Sequence, residues 1–277
     1  MADRARLLRT GGFNQLAETA EGYLLYNVHD EYTGRAIATY GECSAQELSV
    51  LTALCGPGDT VIDVGANTGV HTVALARRVG PSGRVVALEP QRLMFQLLCA
   101  NVALNSLANV DCHWAAAGPR EGKITVPDMD PARSCNFGGI SLVGATGGTE
   151  VPLLVLDRFL AVASLRLVKM DVEGMEAEVL RGATGLIRRF RPLLYVENDR
   201  PDRSEALMRL IDGLGYTMHW DTPMLYNADN FYGERTDVFP TIASFNMLCV
   251  PHEQSGLVDA PAITEFTSHP FHRGRSA

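Results

Sequence analysis

The sequence from Thr60 to Gln91, TVIDVGANTGVHTVALARRVGPSGRVVALEPQ, contains the pattern that decides the fold. A β-branched run at 61–64 stops at Gly65, and residues 72–79 then place apolar side chains at helical spacing. A second short apolar run, 84–88, predicts another strand. The stretch therefore predicts a strand, a tight turn, a helix and a second strand, which together form half of a nucleotide-binding fold.

The turn between the first strand and the helix is Gly65-Ala66-Asn67-Thr68-Gly69. Its glycines allow a sharp turn and a close approach to a ligand, and Asn67 tolerates a left-handed conformation. Glu89 follows about twenty residues later, where an acidic side chain commonly accepts ribose hydroxyls. The dinucleotide fingerprint would need glycine in place of Asn67 and Val70. The turn therefore predicts a bound nucleoside and disfavours a pyrophosphate.

Composition and charge indicate one enzyme-sized domain. The chain has 277 residues, of which 46% are hydrophobic and 20% charged, enough for one large core. A net charge of −8 argues against nucleic acid as a partner and favours a neutral or cationic small substrate. Six cysteines without metal-ligand spacing, and no long apolar segment, predict a cytoplasmic protein with reduced cysteines and no membrane partner. The oligomeric state stays open, with a homodimer as one option.

Acidic residues follow two further predicted strands. The strand at 165–170 ends in Asp171-Val172-Glu173, and the strand at 192–196 ends in Glu197-Asn198-Asp199. Ligands of open α/β sheets bind at the carboxyl ends of the strands. We therefore expect these carboxylates to face the same crevice as the glycine turn. One continuous helix is expected over 175–190, and strands are expected over 110–114, 216–220 and 244–250.

Two long segments are candidate substrate loops because long irregular connections in compact domains are usually functional or disordered. The first, 121–150, is rich in Gly, Pro, Asp and Ser and contains Asn136 and Phe137. The second covers 221–240. The polar tail from about residue 252 is expected to be poorly ordered.

The motifs resemble those of known enzymes. The pattern G-x-N-x-G, preceded by Asp63 and followed by Glu89, resembles the first two motifs of class I S-adenosylmethionine-dependent methyltransferases. The stretches VIDVGANTGVHT, LEPQ, VKMDVEGMEAEVLRGA and RPLLYVEND are similar to the FkbM family of methyltransferases, over about residues 24–250. DVEG followed by E-x-x-VL-x-GA is the most discriminating of them.

The resemblance implies a fold and a domain organisation. The fold is α/β: a Rossmann-like class I methyltransferase fold with a seven-stranded, mostly parallel sheet, helices on both faces, one reversed edge strand and an N-terminal extension. The expected division is an extension over the pocket at 1–45, the methyltransferase domain at 46–251 and a polar C-terminal tail at 252–277.

The resemblance also implies site residues. S-adenosylmethionine is the expected cofactor, and small residues near Ala116 would let an adenine ring lie against the backbone. The expected cofactor-binding residues are Asp63, Gly65, Ala66, Asn67, Gly69, Thr72, Glu89, Pro90, Gln91, Ala116 and Asp171. The expected acceptor-binding residues are Asn136, Phe137 and Asn198, and the candidate catalytic residues are Asp171, Glu173, Glu197 and His29.

The implied reaction is methyl transfer by in-line displacement, in which positioning supplies much of the catalysis. We expect O-methylation of a hydroxyl on a small molecule, a natural product or a glycan, with N-methylation of a natural product or peptide as the alternative. One of the carboxylates, or His29, would accept the proton of the acceptor. Magnesium bound by Asp171, Glu197 and Asp199 is a second possible mechanism.

Two further interpretations belong to other classes. A nicotinamide-dependent oxidoreductase is disfavoured by the missing second glycine and by the absence of a Tyr-x-x-x-Lys pair. A cofactor-binding protein without catalysis would be expected to have lost the acidic residues at the sheet edge, and all of them are present in the sequence.

Overall fold

The computed structural model of the protein describes residues 8–9 and 11–273. The strands within these residues are β1 Leu8–Arg9, β2 Asn14–Thr19, β3 Gly22–Asn27, β4 Thr60–Val64, β5 Arg84–Leu88, β6 Val110–His113, β7 Ala116–Ala117, β8 Gly122–Val126, β9 Thr149–Leu154, β10 Leu167–Met170, β11 Leu193–Glu197, β12 Tyr216–Asp221 and β13 Asn246–Pro251. The helices are α1 Thr33–Tyr40, α2 Ala45–Ala53, α3 Val70–Val79, α4 Arg92–Leu104, α5 Leu156–Phe159, α6 Glu176–Gly182, α7 Thr184–Phe190, α8 Pro201–Asp212 and α9 Pro270–Arg273, with a 3₁₀ helix at His252–Leu257.

The central sheet has seven strands in the order β12-β13-β11-β10-β4-β5-β6. Five neighbouring strands, from β11 to β6, are paired in parallel. Strand β13 runs antiparallel to both of its neighbours, β11 and β12. The predicted α/β, Rossmann-like, mostly parallel sheet is confirmed. The reversed strand is not at the edge, however, because the chain returns after β12 and inserts β13 between β12 and β11.

Both faces of the sheet are covered by helices. Successive side chains of a strand point to opposite faces, and on β4 Val61 packs with α2 and α3, whereas Ile62 and Val64 pack with α6, α7 and α8. These side chains are fully buried. Each stabilises the fold by about 1.5–3 kcal/mol relative to an exposed position. Burial of both faces explains why the strands read as continuous apolar runs.

The chain changes direction in the sheet at β4. From β4 it proceeds outward to β5 and β6, and it later returns to the other side of β4 through β10 and β11. Such a switch point leaves a crevice at the carboxyl ends of the two strands that flank it. The turn after β4 and the acidic residues after β10 therefore lie next to each other.

Two of the predicted local structures differ from the observed ones. Segment 121–150 begins and ends in strands, since β8 and β9 pair antiparallel and form a small sheet with β7. The helix expected over 175–190 is two helices, α6 and α7, which meet at Ala183. The carboxylate of Asp157 accepts hydrogen bonds from the backbone N–H groups of Gly185 and Leu186, both at 2.7 Å, and so caps a new helix there.

The C-terminal segment contacts the rest of the protein as far as the structure describes it. The backbone N–H of Ile263 donates to the carbonyl of Met218 at 2.8 Å. Phe266 packs against the main core, and His269 is buried. The expected segments at 1–45 and 252–277 include residues 1–7, 10 and 274–277, which lie outside the described residues.

The first part of the chain covers the sheet edge at which the glycine turn lies. Strands β1 to β3 form an antiparallel sheet, and β3 lies against α4. The carboxylate of Glu42 accepts hydrogen bonds from the backbone of Phe231 and the side chain of Asn227, both at 2.9 Å. This links the N-terminal region to the connection between β12 and β13. Among the residues that the structure describes, no helix has the length and hydropathy needed to cross a lipid bilayer.

Candidate active site

A cavity of about 230 Å³ opens at the carboxyl ends of β4, β5, β10 and β11. The sequence-predicted residues that line it are Gly65, Asn67, Glu89, Pro90, Gln91, Ala116, Asn136, Phe137, Asp171, Glu173 and Glu197. Asp63, Ala66, Gly69, Thr72, His29, Asn198 and Asp199 lie outside its wall. The acidic residues that the sequence placed after two different strands are thus brought together with the glycine turn.

The glycine turn is shaped by close backbone packing. Gly65 has φ +80°, and a Cβ at this position would lie 1.8 Å from the carbonyl oxygen of Asp171. Asn67 also has a left-handed backbone, with φ 50°, as expected from its sequence context. A Cβ on Gly69 would lie 2.7 Å from Leu98 Cδ1. The turn therefore requires glycine at 65 because the chain after β10 crosses directly against it.

Glu89 is fixed at the end of β5. Its Oε2 accepts the backbone N–H of Asn67 at 2.8 Å, and its Oε1 accepts that of Gln91 at 2.7 Å. The residue is only 6% exposed, and burial raises the pKa of its carboxyl to about 7. Each carboxylate oxygen has capacity for a second hydrogen bond. The geometry therefore suits the acceptance of two neighbouring hydroxyls, as the sequence predicts.

The sequence predicts Asp63 at the cavity, but in the structure this residue lies behind the glycine turn. It is 0% exposed, and its Oδ2 accepts the hydroxyl of Thr72 at 2.6 Å, which fastens α3 to β4. Its Oδ1 lies 3.5 Å from Lys169 Nζ. The chain turns at Gly65, two residues after Asp63, and the side chain of Asp63 does not reach the cavity wall. Asp63 and Thr72 thus hold the turn from behind.

Lys169 is a site residue that the sequence reasoning missed. It is 1% exposed, and it is the residue of β10 that pairs with Asp63 of β4. Its Nζ lies 3.4 Å from Asp171 Oδ2. These two carboxylates raise its pKa against the opposing effect of burial, which is the largest single influence. The signal in the sequence was a lysine inside an apolar strand, in a chain whose only other lysine is Lys123.

Asp171, Glu173 and Glu197 form an acidic cluster at the cavity. One carboxylate oxygen of each lies within 4.8 Å of those of the other two. Asp171 pairs with Lys169, and Glu173 forms an ion pair with Arg200. Glu197 differs, because its Oε2 is buried and has no hydrogen-bond partner among the residues that the structure describes.

Burial and mutual repulsion determine how readily these acids hold protons. Burial, followed by the charge of Asp171, raises the pKa of Glu173 to about 8. Burial, together with the charges of Asp171 and Glu173, raises the pKa of Glu197 well above its ordinary value. A carboxylate with a raised pKa is a stronger base. The cluster can therefore accept a proton from an acceptor in those molecules in which one of these carboxyl groups is ionised, a fraction that increases with pH.

The loop that carries Glu173 is strained and firmly held. Glu173 has φ 55°, a left-handed backbone that costs a non-glycine residue about 1–3 kcal/mol. Oε1 of Glu176 accepts the backbone N–H groups of Val172 and Gly174, both at 3.1 Å. Arg203 donates to the carbonyl of Gly174 at 2.8 Å. These contacts hold the carboxylate of Glu173 at the cavity despite the strain.

The donor set does not favour the magnesium site that the sequence analysis gave as a second possibility. Asp199 lies outside the cluster and accepts a hydrogen bond from Arg200 Nη1 at 2.8 Å. In the cluster, Lys169 and Arg200 already pair with Asp171 and Glu173. A divalent ion would sit beside two organic cations, so we derive no step through a metal.

Two other expected residues lie away from the cavity. His29 lines a different surface pocket, together with Asp30 and Phe239. Asn198 donates to Ser204 Oγ at 2.9 Å, and its carbonyl oxygen lies 2.6 Å from His269 Nε2. Side chains alternate along an extended chain, so Asn198 turns inward where Glu197 faces the cavity. Asn198 therefore anchors the C-terminal segment behind the acidic edge.

The remaining wall of the cavity comes from loops. Gln91 donates from Nε2 to the carbonyl of Phe137 at 2.9 Å, and the Phe137 ring packs with Met94 and Leu97. Both long segments named from the sequence contribute apolar residues, and the N-terminal region adds side chains that the sequence reasoning missed. The long segments contribute Ile140, Leu142 and Leu225, the N-terminal region contributes Tyr32, Thr33, Cys43 and Ser44, and Ile242 follows the second long segment.

The fold, the glycine turn and the acidic edge describe an α/β protein built to hold a nucleoside next to a group of carboxylates. Residues 63–218 match the model of the methyltransferase FkbM domain, and the chain belongs to this family of methyltransferases. The family is one of methyltransferases, which agrees with the resemblance seen in the sequence. This membership favours the methyltransferase interpretation over the oxidoreductase one.

Individual relatives are distant. "Methyltransferase 1" of Beauveria bassiana is 27% identical over 149 residues, which cover 46% of this chain and 59% of the relative. The crystal structure of methyltransferase FkbM from Methylobacillus flagellatus has a TM-score of 0.43 and 19% identity, covering 69% of this chain and 43% of that one. The crystal structure of the O-methyltransferase TomG from Streptomyces achromogenes, in complex with SAM, has a TM-score of 0.46 and 14% identity. The match covers 75% of this chain and 80% of that one. The chain thus spans less than two thirds of the first two relatives.

Proposed function

We propose that the protein transfers a methyl group from S-adenosylmethionine to a hydroxyl oxygen of a small molecule or glycan. One observation carries this proposal. A single cavity joins the glycine turn and Glu89, which suit a nucleoside, to the carboxylates Asp171, Glu173 and Glu197, which suit the removal of a proton. The N-terminal region and the two long connections cover this cavity and bind the acceptor.

The cofactor half of the cavity lies at β4 and β5. Glu89 would accept the two ribose hydroxyls of the cofactor, and the backbone of Gly65 and Asn67 borders the same space. Ala116 and Gln91 also line the cavity and would border the adenine ring. When bound, the cofactor supplies an electrophilic methyl group, so this chain has only to orient the acceptor and remove its proton.

Glu197 is the base in this proposal. An alcohol oxygen becomes a better nucleophile as its proton is removed, and the base must be free to receive that proton. Lys169 and Arg200 occupy Asp171 and Glu173, whereas Oε2 of Glu197 has no partner among the described residues. The apolar residues Ile140, Leu142 and Ile242 line the same cavity and would border the acceptor.

The test measures formation of S-adenosylhomocysteine from S-adenosylmethionine with a panel of hydroxyl acceptors and their amine counterparts. Hydroxyl acceptors should react, and Glu197→Gln should lower turnover by about 10²–10⁴-fold while leaving the affinity for S-adenosylhomocysteine unchanged. The matched control is Glu205→Gln, which removes an exposed carboxylate on α8 that pairs with Arg209. Methylation of amines but not of hydroxyls would replace this proposal by N-methylation.

A further inference from the structure

A second pocket, of about 600 Å³, opens on the protein surface next to the main cavity. Its lining residues lie between 28 and 38, at Ser134 and between 238 and 242, and we call this space the outer pocket. The two spaces share Tyr32 and Ile242 in their walls. The volume of the outer pocket is within the range of about 300–1,000 Å³ that is typical of small-molecule sites. A ligand in the main cavity can therefore continue past these two side chains into the outer pocket.

The outer pocket is built by the same three parts of the chain that cover the main cavity. These are the N-terminal region, the connection between β8 and β9, and the connection between β12 and β13. The backbone N–H of Glu31 donates to the carbonyl of Cys135, and that of Cys135 donates to the carbonyl of His29, both at 3.1 Å. The hydroxyl of Ser134 donates to Glu31 Oε1 at 2.9 Å. These bonds fasten the first two parts together and fix the side of the pocket that carries Glu31.

Arg35 is the arginine of the outer pocket, and an aromatic ring holds it in place. Its guanidinium carbon lies 5.3 Å from the centroid of the Phe239 ring. The Phe239 ring also stacks with Tyr32, at a centroid distance of 6.1 Å and an interplanar angle of 18°. Among the residues that the structure describes, no carboxylate forms an ion pair with Arg35. Its N–H donors are therefore available to a ligand that also touches Tyr32.

The charges around the outer pocket are of both signs. Arg35 supplies hydrogen-bond donors, and the carboxylates of Asp30 and Glu31 supply acceptors. An anionic ligand would meet the two carboxylates, and a cationic ligand would meet the guanidinium. A neutral ring with several hydroxyls meets neither repulsion, because each hydroxyl both donates and accepts a hydrogen bond. The composition of the pocket thus favours a polyhydroxylated ring.

We propose that the outer pocket binds a second sugar unit of the acceptor, which is therefore a glycan or glycoside of at least two units. Arg35 and Glu31 bind the hydroxyls of this second unit, and Tyr32 lies between it and the unit that is methylated. The inference rests on the proposed function, because the hydroxyl that reacts lies at Glu197 in the main cavity. It gives His29, which lines the outer pocket, a role in binding the acceptor instead of in removing its proton.

The experiment measures kcat and KM for formation of S-adenosylhomocysteine with matched acceptors. Each match consists of the methyl glycoside of one hexose and the methyl glycosides of disaccharides that contain this hexose. A disaccharide should have a kcat/KM at least about tenfold above that of the hexose, the effect of one or two added hydrogen bonds. A match in which the disaccharide reacts and the hexose does not gives the same support.

Two variants locate the effect in the outer pocket. Arg35→Met should raise KM for the disaccharide by about 3–10-fold with kcat unchanged, and should alter the kinetics of the hexose by less than about twofold. The matched control is Arg189→Met, which removes an exposed arginine that lies 4.6 Å from the Phe190 ring on α7 and should change neither acceptor. His29→Ala should also raise KM for the disaccharide alone. A fall of kcat with both acceptors in this variant would show that His29 acts in catalysis and would overturn its assignment to the outer pocket.

The outcomes separate this inference from the proposed function. Equal kcat/KM values for hexose and disaccharide, or equal effects of Arg35→Met on both, would overturn the second sugar site. Reaction of hydroxyl acceptors that contain no sugar, without reaction of any sugar, would overturn it as well and leave the proposed function in place. If no hydroxyl acceptor reacted, the proposed function itself would fail.

Discussion

The side-chain amide of Asn101 on α4 pairs with the backbone of Leu25 on β3 as a neighbouring strand would. Its Oδ1 accepts the Leu25 N–H at 2.6 Å, and its Nδ2 donates to the Leu25 carbonyl at 3.0 Å. The same Nδ2 lies 2.8 Å from the carbonyl of Thr68 in the glycine turn. One buried amide thus connects the N-terminal sheet, α4 and the cofactor side of the cavity.

Replacing Asn101 by alanine should loosen all three parts. Three buried hydrogen bonds are lost at about 1 kcal/mol each, so we expect the free energy of unfolding to fall by about 3 kcal/mol in urea titrations. Hydrogen exchange at the Leu25 amide should accelerate. Asn105→Ala is the matched control, since Asn105 makes similar bonds to Tyr23 one turn later but does not contact the glycine turn. Asn101→Ala should therefore lower cofactor affinity more than Asn105→Ala. Equal losses of affinity in the two variants would contradict the connection between Asn101 and the glycine turn.

Gly65→Ala should abolish cofactor binding. The new Cβ would lie 1.8 Å from the carbonyl oxygen of Asp171, so the turn and the loop after β10 would have to separate. The expected loss of stability is at least about 3 kcal/mol, because steric displacement adds to the cost of a positive φ. Gly80→Ala isolates the second effect, since Gly80 has φ +67° and nothing within 4 Å of its Cβ position. Thermal unfolding and calorimetry with S-adenosylhomocysteine distinguish the two variants.

Glu173→Gly should stabilise the protein while lowering turnover. Glycine adopts the φ of 55° at this position without strain, so we expect a gain of about 1 kcal/mol in the free energy of unfolding. Turnover should fall because a carboxylate at the cavity is lost. Glu173→Gln keeps the strained backbone and removes only the charge. If the glutamine variant were as stable as the glycine variant, charge repulsion rather than backbone strain would account for the gain.

Stability of the ligand-free protein should decrease as pH rises from about 5 to 8. The pKa of Glu89 is raised from 4.5 to about 7 in the folded state, so the folded protein binds more protons than the unfolded chain in this range. The contribution of Glu89 is complete below the unfolded value and is lost as pH rises through about 7. At 1.36 kcal/mol per pH unit it amounts to about 3 kcal/mol. Glu89→Gln should flatten the melting temperature against pH by a corresponding amount, and an unchanged slope would contradict the assignment.

The sequence predicted the parts of the site that are set by local pattern. The strand, turn, helix and strand from Thr60 onward could be predicted directly, because hydrophobic periodicity and turn glycines are visible within a few residues of sequence. The carboxylates after β10 and β11 were placed correctly at one edge because parallel strands end at the same edge. Asp171, Glu173 and Glu197 therefore meet as expected.

Features that depend on distant parts of the chain were not predictable. The pairing of Lys169 with Asp63 requires knowledge that β10 lies beside β4 in a particular register. The insertion of β13 between β12 and β11 depends on the path of the irregular connection that precedes β13. Asp63 and Asn198 were assigned by their position beside a motif and His29 by the resemblance, and neither argument gives information on the direction of a side chain. Their places in the structure follow from packing in three dimensions.

The wall that we propose for the acceptor has a different origin from the rest of the cavity. Ile140 and Leu142 come from the connection between β8 and β9, and Leu225 and Ile242 come from the connection between β12 and β13. None of these residues belongs to the central sheet, and connections tolerate change better than buried strands. Acceptor preference can thus diverge through mutation of two surface segments while the cofactor half stays intact. The same scaffold is in this respect well suited to laboratory evolution towards new acceptors.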